Sequence, residues 1–317
     1  MTVRWGFLGA GYVASRAMAP AVHAAGGAVL HAVASRDEAR SRALEPIVVH
    51  AGYRELLDDA NVDAVYISLT NAQHKQWVIA ALEAGKHVLC EKPLALNAAE
   101  ARAMFDVARR ADRLLVEASW VRWHPRFRRM EHLAGSGALG AITAIDSTFT
   151  FTGEMTDNYR LAPELGGGAL LDVGCYQAQA WVAFTDGAPD MEIDAVERTV
   201  GGTGVDLTTR ATATISGNVR AAMLGSFALP ATQSLVVAGS SFTMQTGQGE
   251  SFTSWREPSS LIVGDHVETF EPVDAFVVMV QEVSARIGGG EGRVVSPRDS
   301  IRSAEILDAI TAFSATS

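Results

Sequence analysis

A chain of 317 residues exceeds the size at which a single hydrophobic core keeps growing, so two domains are expected. With 48% hydrophobic and 20% charged residues it carries enough apolar surface to offset chain entropy, which excludes wholesale disorder. Its 26 Lys and Arg against 36 Asp and Glu give a net charge of -10, and no basic cluster tracks a phosphate backbone, so nucleic acid is not an expected partner.

The apolar N-terminus is broken by glycines and Arg16 and lacks the charged region of an export signal, so it reads as a first strand. No apolar run reaches the roughly 18 residues of a membrane span. Cys90 and Cys175 match no metal or redox spacing, which leaves free thiols in a reducing compartment and no metal site. A cytoplasmic location follows by elimination. From residue 3 to about 120, apolar runs at 4–8, 29–34, 64–68, 87–90 and 114–117 alternate with amphipathic stretches, the pattern of a parallel sheet with crossover helices. Asn97 and Glu100 form a capping-box variant ahead of Ala101, Met104, Phe105 and Ala108 at helical spacing.

Beyond about 120 the texture changes. Pro125 opens a helix, residues 142–151 alternate, a Gly-rich turn follows, and an apolar helix covers 169–184. Between 192 and about 270 successive strands rich in Val, Thr, Ala and Phe are separated by Gly-Gly, Gly-Asn and Gly-Ser turns, which predicts an antiparallel meander. Two helices close the chain, the last starting at Ser296 and Pro297. The expected division is a dinucleotide-binding domain over 1–120 and an α+β substrate domain over 121–317.

Directly after the first strand, Gly9-Ala10-Gly11-Tyr12-Val13-Ala14 opens a helix as G-x-G-x-x-A. Glycines suit a tight turn that lets a pyrophosphate approach the backbone and the helix N-terminus. At the end of the second strand, where an acidic residue would accept the ribose 2′-hydroxyl, stand Ser35 and Arg36. A hydroxyl and a guanidinium suit a 2′-phosphate and favour NADP over NAD. The competing reading makes Ser35 and Glu38 a capping box, with Asp37 left to reach a ribose.

Three further segments carry chemistry. Leu69, Thr70, Asn71 and His74 follow the third expected strand, Glu91 and Lys92 follow the fourth, and both lie where open α/β sheets bind ligands. In Gly166-Gly167-Gly168-Ala169-Leu170-Leu171-Asp172-Val173-Gly174-Cys175-Tyr176, Asp172 and Tyr176 stand four apart and share a helix face. With these motifs in this order, the whole chain resembles the Gfo/Idh/MocA family of oxidoreductases. The resemblance implies a doubly wound Rossmann domain, a C-terminal domain with an open, mostly antiparallel sheet often used for dimerisation, and hydride transfer with a sugar-like, polyhydroxylated substrate. It marks Lys92 and Asp172 as active-site residues. Tyr176 stands where many members have histidine, as in the subgroup of NADP-dependent xylose dehydrogenases, dimeric dihydrodiol dehydrogenases and glucose-fructose oxidoreductases, where a tyrosine exchanges the proton. Thr70 departs from the proline that is frequent before the asparagine.

A free tyrosine titrates near ~10, too high for an efficient base at neutral pH, so an ammonium such as Lys92 would help by favouring phenolate. Asp172 is expected to orient Lys92 or bond the substrate. Trp120, Arg122, Trp123 and His124, with Tyr159 and Arg160 after Asn158, are the expected substrate contacts. Two alternatives within the same family are a non-catalytic cofactor-binding regulator and an NAD-dependent glycosidase.

Overall fold

In the computed structural model, which describes residues 1–153, 155 and 158–314, the five expected strands form where the sequence is mainly apolar, and a sixth, at 48–50, joins them. In chain order the six are β1 (Val3–Leu8), β2 (Ala28–Ala34), the unexpected β3 (Val48–His50), β4 (Ala64–Ile67), β5 (His87–Cys90) and β6 (Leu115–Glu117). All pair in parallel in the order β3-β2-β1-β4-β5-β6. A sheet covered on both faces needs apolar residues at every position, and β4 is buried at all four. β3 is a three-residue strand, half-buried throughout, and the Ile47-Val48-Val49 run that carries it is too short to specify a strand by itself. The strand order reverses between β1 and β4, which places the glycine turn at the topological switch point.

Between the strands run α1 (Ala19–Ala24), α2 (Glu38–Arg42), α3 (Tyr53–Asp58), α4 (Asn71–Glu83) and α5 (Ala98–Ala111). The helix leading into α1 widens to a π turn over Ala14–Met18. Pro20 lies just beyond, and without an N–H it cannot bond the carbonyl four residues back.

The chain divides into two compact units. The first holds Met1–Ala95, Ala99–Trp123 and Asp274–Pro297; the second holds, within the described residues, Leu96–Ala98, His124–Val273 and Arg298–Ser317. In the second unit α6 (Pro125–Gly135) leads into β7 (Ile142–Thr152), and a π turn at Leu170–Gly174 runs on into α7 (Cys175–Phe184). The strands β8 (Glu192–Val200), β9 (Asp206–Ile215), β10 (Val219–Ser226), β11 (Ala228–Gly239), β12 (Thr243–Thr246), β13 (Ser259–Val263) and β14 (His266–Phe270) follow. The chain ends in α8 (Ala275–Ile287) and α9 (Pro297–Ala312).

The second sheet is mostly antiparallel, as expected, but it is not one uninterrupted meander. Its order is β14-β13-β12-β11-β7-β10-β9-β8, with β7 inserted between β10 and β11 and running parallel to β10. Gln177 of α7, fully buried, pins the helix to the sheet by donating to the carbonyls of Ser147 at 2.9 Å and Leu224 at 3.1 Å.

Residues 274–297 join the first unit through aromatic contacts. Trp5 donates from Nε1 to Ser284 Oγ at 3.1 Å, Trp120 stacks on Phe276, and Trp123 donates to the carbonyl of Arg293 at 3.2 Å. No described helix is long and apolar enough to cross a membrane.

Candidate active site

The glycine turn has the form that a dinucleotide needs. Gly9 sits at φ +99°, and a Cβ there would meet the carbonyl oxygen of Ser68 at 2.4 Å, so the turn closes only with glycine. Over Gly11 the space is open, its nearest neighbour being Ser68 Oγ at 3.9 Å, and helical backbone begins at Tyr12, whose side chain is exposed. No side-chain cap bond is made at Val13, where the π turn starts. A backbone cradle free of side chains at a helix N-terminus suits a pyrophosphate.

At the end of β2, Arg36 is exposed, and its charge bears on Tyr53, whose phenol is pushed up by burial and drawn back by that guanidinium. Ser35 is engaged locally, donating to the carbonyl of Asp37 at 2.6 Å and sharing a bond with Ser41 Oγ at 2.8 Å. The cap of α2 is Asp37, which accepts from the N–H of Arg40; the capping box expected of Ser35 and Glu38 does not form. A carboxylate two residues nearer the helix reaches its free N–H groups without turning the chain back.

The loops that follow β4 and β5 are tied together by one side chain. His74 is fully buried, with Nδ1 at 2.9 Å from the carbonyl of Pro93 and Nε2 at 3.2 Å from that of Leu69. Burial, outweighing these carbonyls, holds its pKa at about 4, so the ring is neutral. Thr70 precedes α4, Asn71 is its buried first residue, and Thr70 Oγ1 donates to Gln73 at 3.1 Å. Glu91 accepts at Oε1 from the Tyr66 hydroxyl at 2.7 Å and at Oε2 from the Lys92 N–H at 3.2 Å, which fixes the backbone from which Lys92 projects. Tyr66 is fully buried and titrates well above its ordinary value through burial and the Glu91 carboxylate; nothing in its local sequence marks this role.

In the second unit each glycine of the Gly166-Gly167-Gly168 turn has a reason. Gly166 and Gly168 lie at φ +77° and +116°, and a Cβ on Gly167 would meet the Arg160 carbonyl oxygen at 2.4 Å. The turn folds back on Arg160, whose carbonyl accepts from the Gly168 N–H at 2.9 Å. Asp206, a residue that sequence reasoning missed, accepts at Oδ2 from the Leu170 N–H at 2.8 Å and the Thr209 hydroxyl at 2.7 Å, anchoring the helix start.

Asp172 is buried and pairs with Arg160, Nε to Oδ2 at 2.7 Å. One turn on, Tyr176 is buried against Phe149 and Phe252, its ring centroid 5.7 and 5.9 Å from theirs, while those two rings stack on each other. Tyr159 lies under the Arg160 guanidinium, 4.8 Å from ring centroid to Cζ.

The other expected substrate contacts lie in packed surroundings. Trp120, Arg122, Trp123 and His124 are all buried, and His124 caps α6, its Nδ1 accepting from the Arg126 N–H at 3.2 Å. Cys90 and Cys175 are buried thiols, and Cys175 Sγ donates to the Asp172 carbonyl at 3.4 Å. Among the described residues no group of His, Cys, Asp and Glu gathers as metal ligands do.

A doubly wound sheet with a bare glycine turn at its switch point, followed by an Asp-Tyr helix on a mixed sheet, defines a class of nicotinamide-dependent oxidoreductases. The model for the Gfo/Idh/MocA oxidoreductase family, NAD-binding Rossmann fold, matches residues 3–119, and the model for its C-terminal domain matches 127–245. The chain belongs to this family, as its motifs lead one to expect. It is similar to the D-xylose 1-dehydrogenase (NADP(+)) 2 of Haloferax volcanii, 34% identical with 96% of this chain and 95% of that one covered. The trans-1,2-dihydrobenzene-1,2-diol dehydrogenase of Xenopus laevis is 34% identical over 56% of each chain. Among solved structures, a 3-ketoreductase from Actinomadura kijaniata in complex with NADP and TDP-benzene has a TM-score of 0.89 at 29% identity, with 98% of this chain and 97% of that one covered.

Proposed function

We propose that this protein is an NADP(H)-dependent oxidoreductase acting on a CH-OH group of a sugar or a related polyhydroxylated or dihydrodiol substrate. The observation that carries the reading is the intact set of glycine turn, Lys92 and Asp172-Tyr176 helix in a chain so similar, end to end, to an NADP-dependent xylose dehydrogenase. In this reading Gly9, Gly11, Tyr12 and Val13 receive the pyrophosphate, Ser35 and Arg36 the adenosine end, and the loops at Leu69-Asn71 and Glu91-Lys92 the rest of the cofactor. His74, its ring nitrogens both turned to carbonyls, serves by holding those loops. When bound, the nicotinamide takes up or returns the hydride that no side chain can carry.

Tyr176 accepts the hydroxyl proton in oxidation and returns it in reduction. Lys92 favours the phenolate by its charge, and Asp172 orients the donors around it. Trp120, Arg122, Trp123, His124 and Tyr159 shape the substrate side, the buried ones from behind. The two domains of this reading divide near residue 120, and the enzyme works in the cytoplasm as a homodimer or higher homo-oligomer. The C-terminal sheet supports that assembly, because Thr148, Ala222, Leu224 and Val236 stay half-buried on the face turned away from Gln177.

Incubating the purified protein with NADP+ and a panel of aldoses, inositols and dihydrodiols, while following absorbance of the reduced cofactor, tests the proposal. Turnover with a member of the panel supports it. Cofactor binding with no turnover of any member, in either direction, would point to a regulator; product without net reduced cofactor would point to a glycosidase.

A further inference from the structure

Arg160 entered as a substrate contact, but its surroundings give it different work. The residue sits in a rigid turn: its N–H donates to the Asn158 side chain at 3.0 Å, and its carbonyl accepts from Gly168, the glycine that opens the catalytic helix. Its guanidinium is spread over the Tyr159 ring and bonded to the Asp172 carboxylate at 2.7 Å, with about a quarter of the side chain exposed against 7% for Asp172. A guanidinium so engaged on two sides is poorly placed to bond a substrate as well. It is well placed to act on the groups one helical turn apart, Asp172 and Tyr176.

We infer that Arg160 is a positioning residue that sets the proton affinity of Tyr176, by balancing the Asp172 charge and adding its own positive charge beside the phenol. The inference rests on the reading of Tyr176 as the proton carrier. Several elements of its unit pack around that phenol. β7 offers Phe149 and the segment after β12 offers Phe252, both apolar; the 159–161 turn offers Tyr159 and Arg160; the helix itself offers Asp172. The first unit carries Lys92, proposed above to favour the phenolate by its charge. Burial works against the Arg160 charge, yet Asp172, Tyr159 and Tyr176 outweigh it and hold the guanidinium protonated, as mutual stabilisation of cation and phenolate requires.

The signs are opposite for the two partners. Removing Arg160 takes away a cation and leaves Asp172 uncompensated, and both changes disfavour phenolate. Removing the Asp172 charge leaves the cation alone, which favours it. Ultraviolet difference titration of phenolate, parent minus Tyr176→Phe, reads the Tyr176 midpoint without turnover; the same subtraction is made in Arg160→Gln and Asp172→Asn backgrounds. The midpoint is expected to rise by about one pH unit in Arg160→Gln and to fall in Asp172→Asn, with Arg160→Lys close to the parent. In the oxidation direction, the limb of the turnover profile on which rate rises with pH should move the same way, which is about tenfold in rate at a fixed pH below the midpoint.

Midpoints that move in the same direction in both charge variants, or not at all, overturn the inference, since a merely structural role predicts no opposition of sign. Near-normal turnover in Tyr176→Phe would instead sink the underlying reading of the proton carrier, so the two failures are told apart.

Discussion

Replacing Gly168 with alanine puts the geometry of the helix start under direct test. The new Cβ would lie 2.2 Å from Asp206 Oδ1, at a backbone φ of +116° that side chains rarely adopt. The carboxylate cannot simply turn aside, because its other oxygen holds the Leu170 N–H and the Thr209 hydroxyl. Strained backbone costs about 1–3 kcal/mol and losing a hydrogen bond to a charged group about 1.5–3 kcal/mol, so Gly168→Ala should destabilise the protein by about 2.5–6 kcal/mol. Urea unfolding at neutral pH, extrapolated linearly, measures it. In an Asp206→Ala background the obstructing oxygen is gone and only the backbone strain remains, so the same substitution should cost about 1–3 kcal/mol there. A cost below about 0.5 kcal/mol in the parent, or the same cost in both backgrounds, would show that Asp206 does not hold the turn in this way.

Tyr176→Phe and Lys92→Ala should each lower turnover by roughly 10²-fold or more while changing NADP(H) affinity much less, and the double variant should be scarcely slower than the worse single one, as steady-state kinetics with an identified substrate will show. Arg36→Ala should narrow a preference for NADP(H) over NAD(H), measured by direct titration; an unchanged ratio removes the phosphate-reading role from that side chain. His74 and His124 are both held at about 4, against an ordinary 6.5, chiefly because burial penalises the imidazolium. The unfolded chain therefore takes up protons that the folded one refuses, so their contribution to stability is complete above about pH 6.5 and declines as pH falls toward about 4. His124→Asn keeps a residue able to cap α6 but removes one of these imidazoles, so its urea midpoint should fall less than the parent's across that window; parallel falls would count against the assignment.

What the sequence determined by itself was whatever is encoded over short distances. Short, mainly apolar runs specify buried parallel strands, and β1, β2, β4 and β5 lie within a residue or so of where those runs place them. Gly9 is legible because a tight turn before a helix excludes a side chain, and the Gly-rich turn because Gly167 meets backbone and Gly168 a carboxylate at close range. The spacing of Asp172 and Tyr176 likewise puts them one turn apart on any helix.

Only the tertiary structure decided the rest, because pairing across long separations leaves no periodic trace. The three residues of β3 become a strand by adding to the edge of β2, and β7 lies parallel to β10 because the sheet is closed by partners some 75 residues away in sequence, as the Ser147–Ala222 bond records. Residues 274–297 join the first unit through Trp5, Trp120 and Trp123, contacts that no local pattern announces. The same holds for the site: Tyr66 on Glu91, Arg160 on Asp172 and Asp206 beneath Leu170 are meetings of a buried charge or hydroxyl with a distant partner. Each side chain alone reads as ordinary. A buried polar group must find a partner in low dielectric, and which one it finds is settled by the packing of the whole domain.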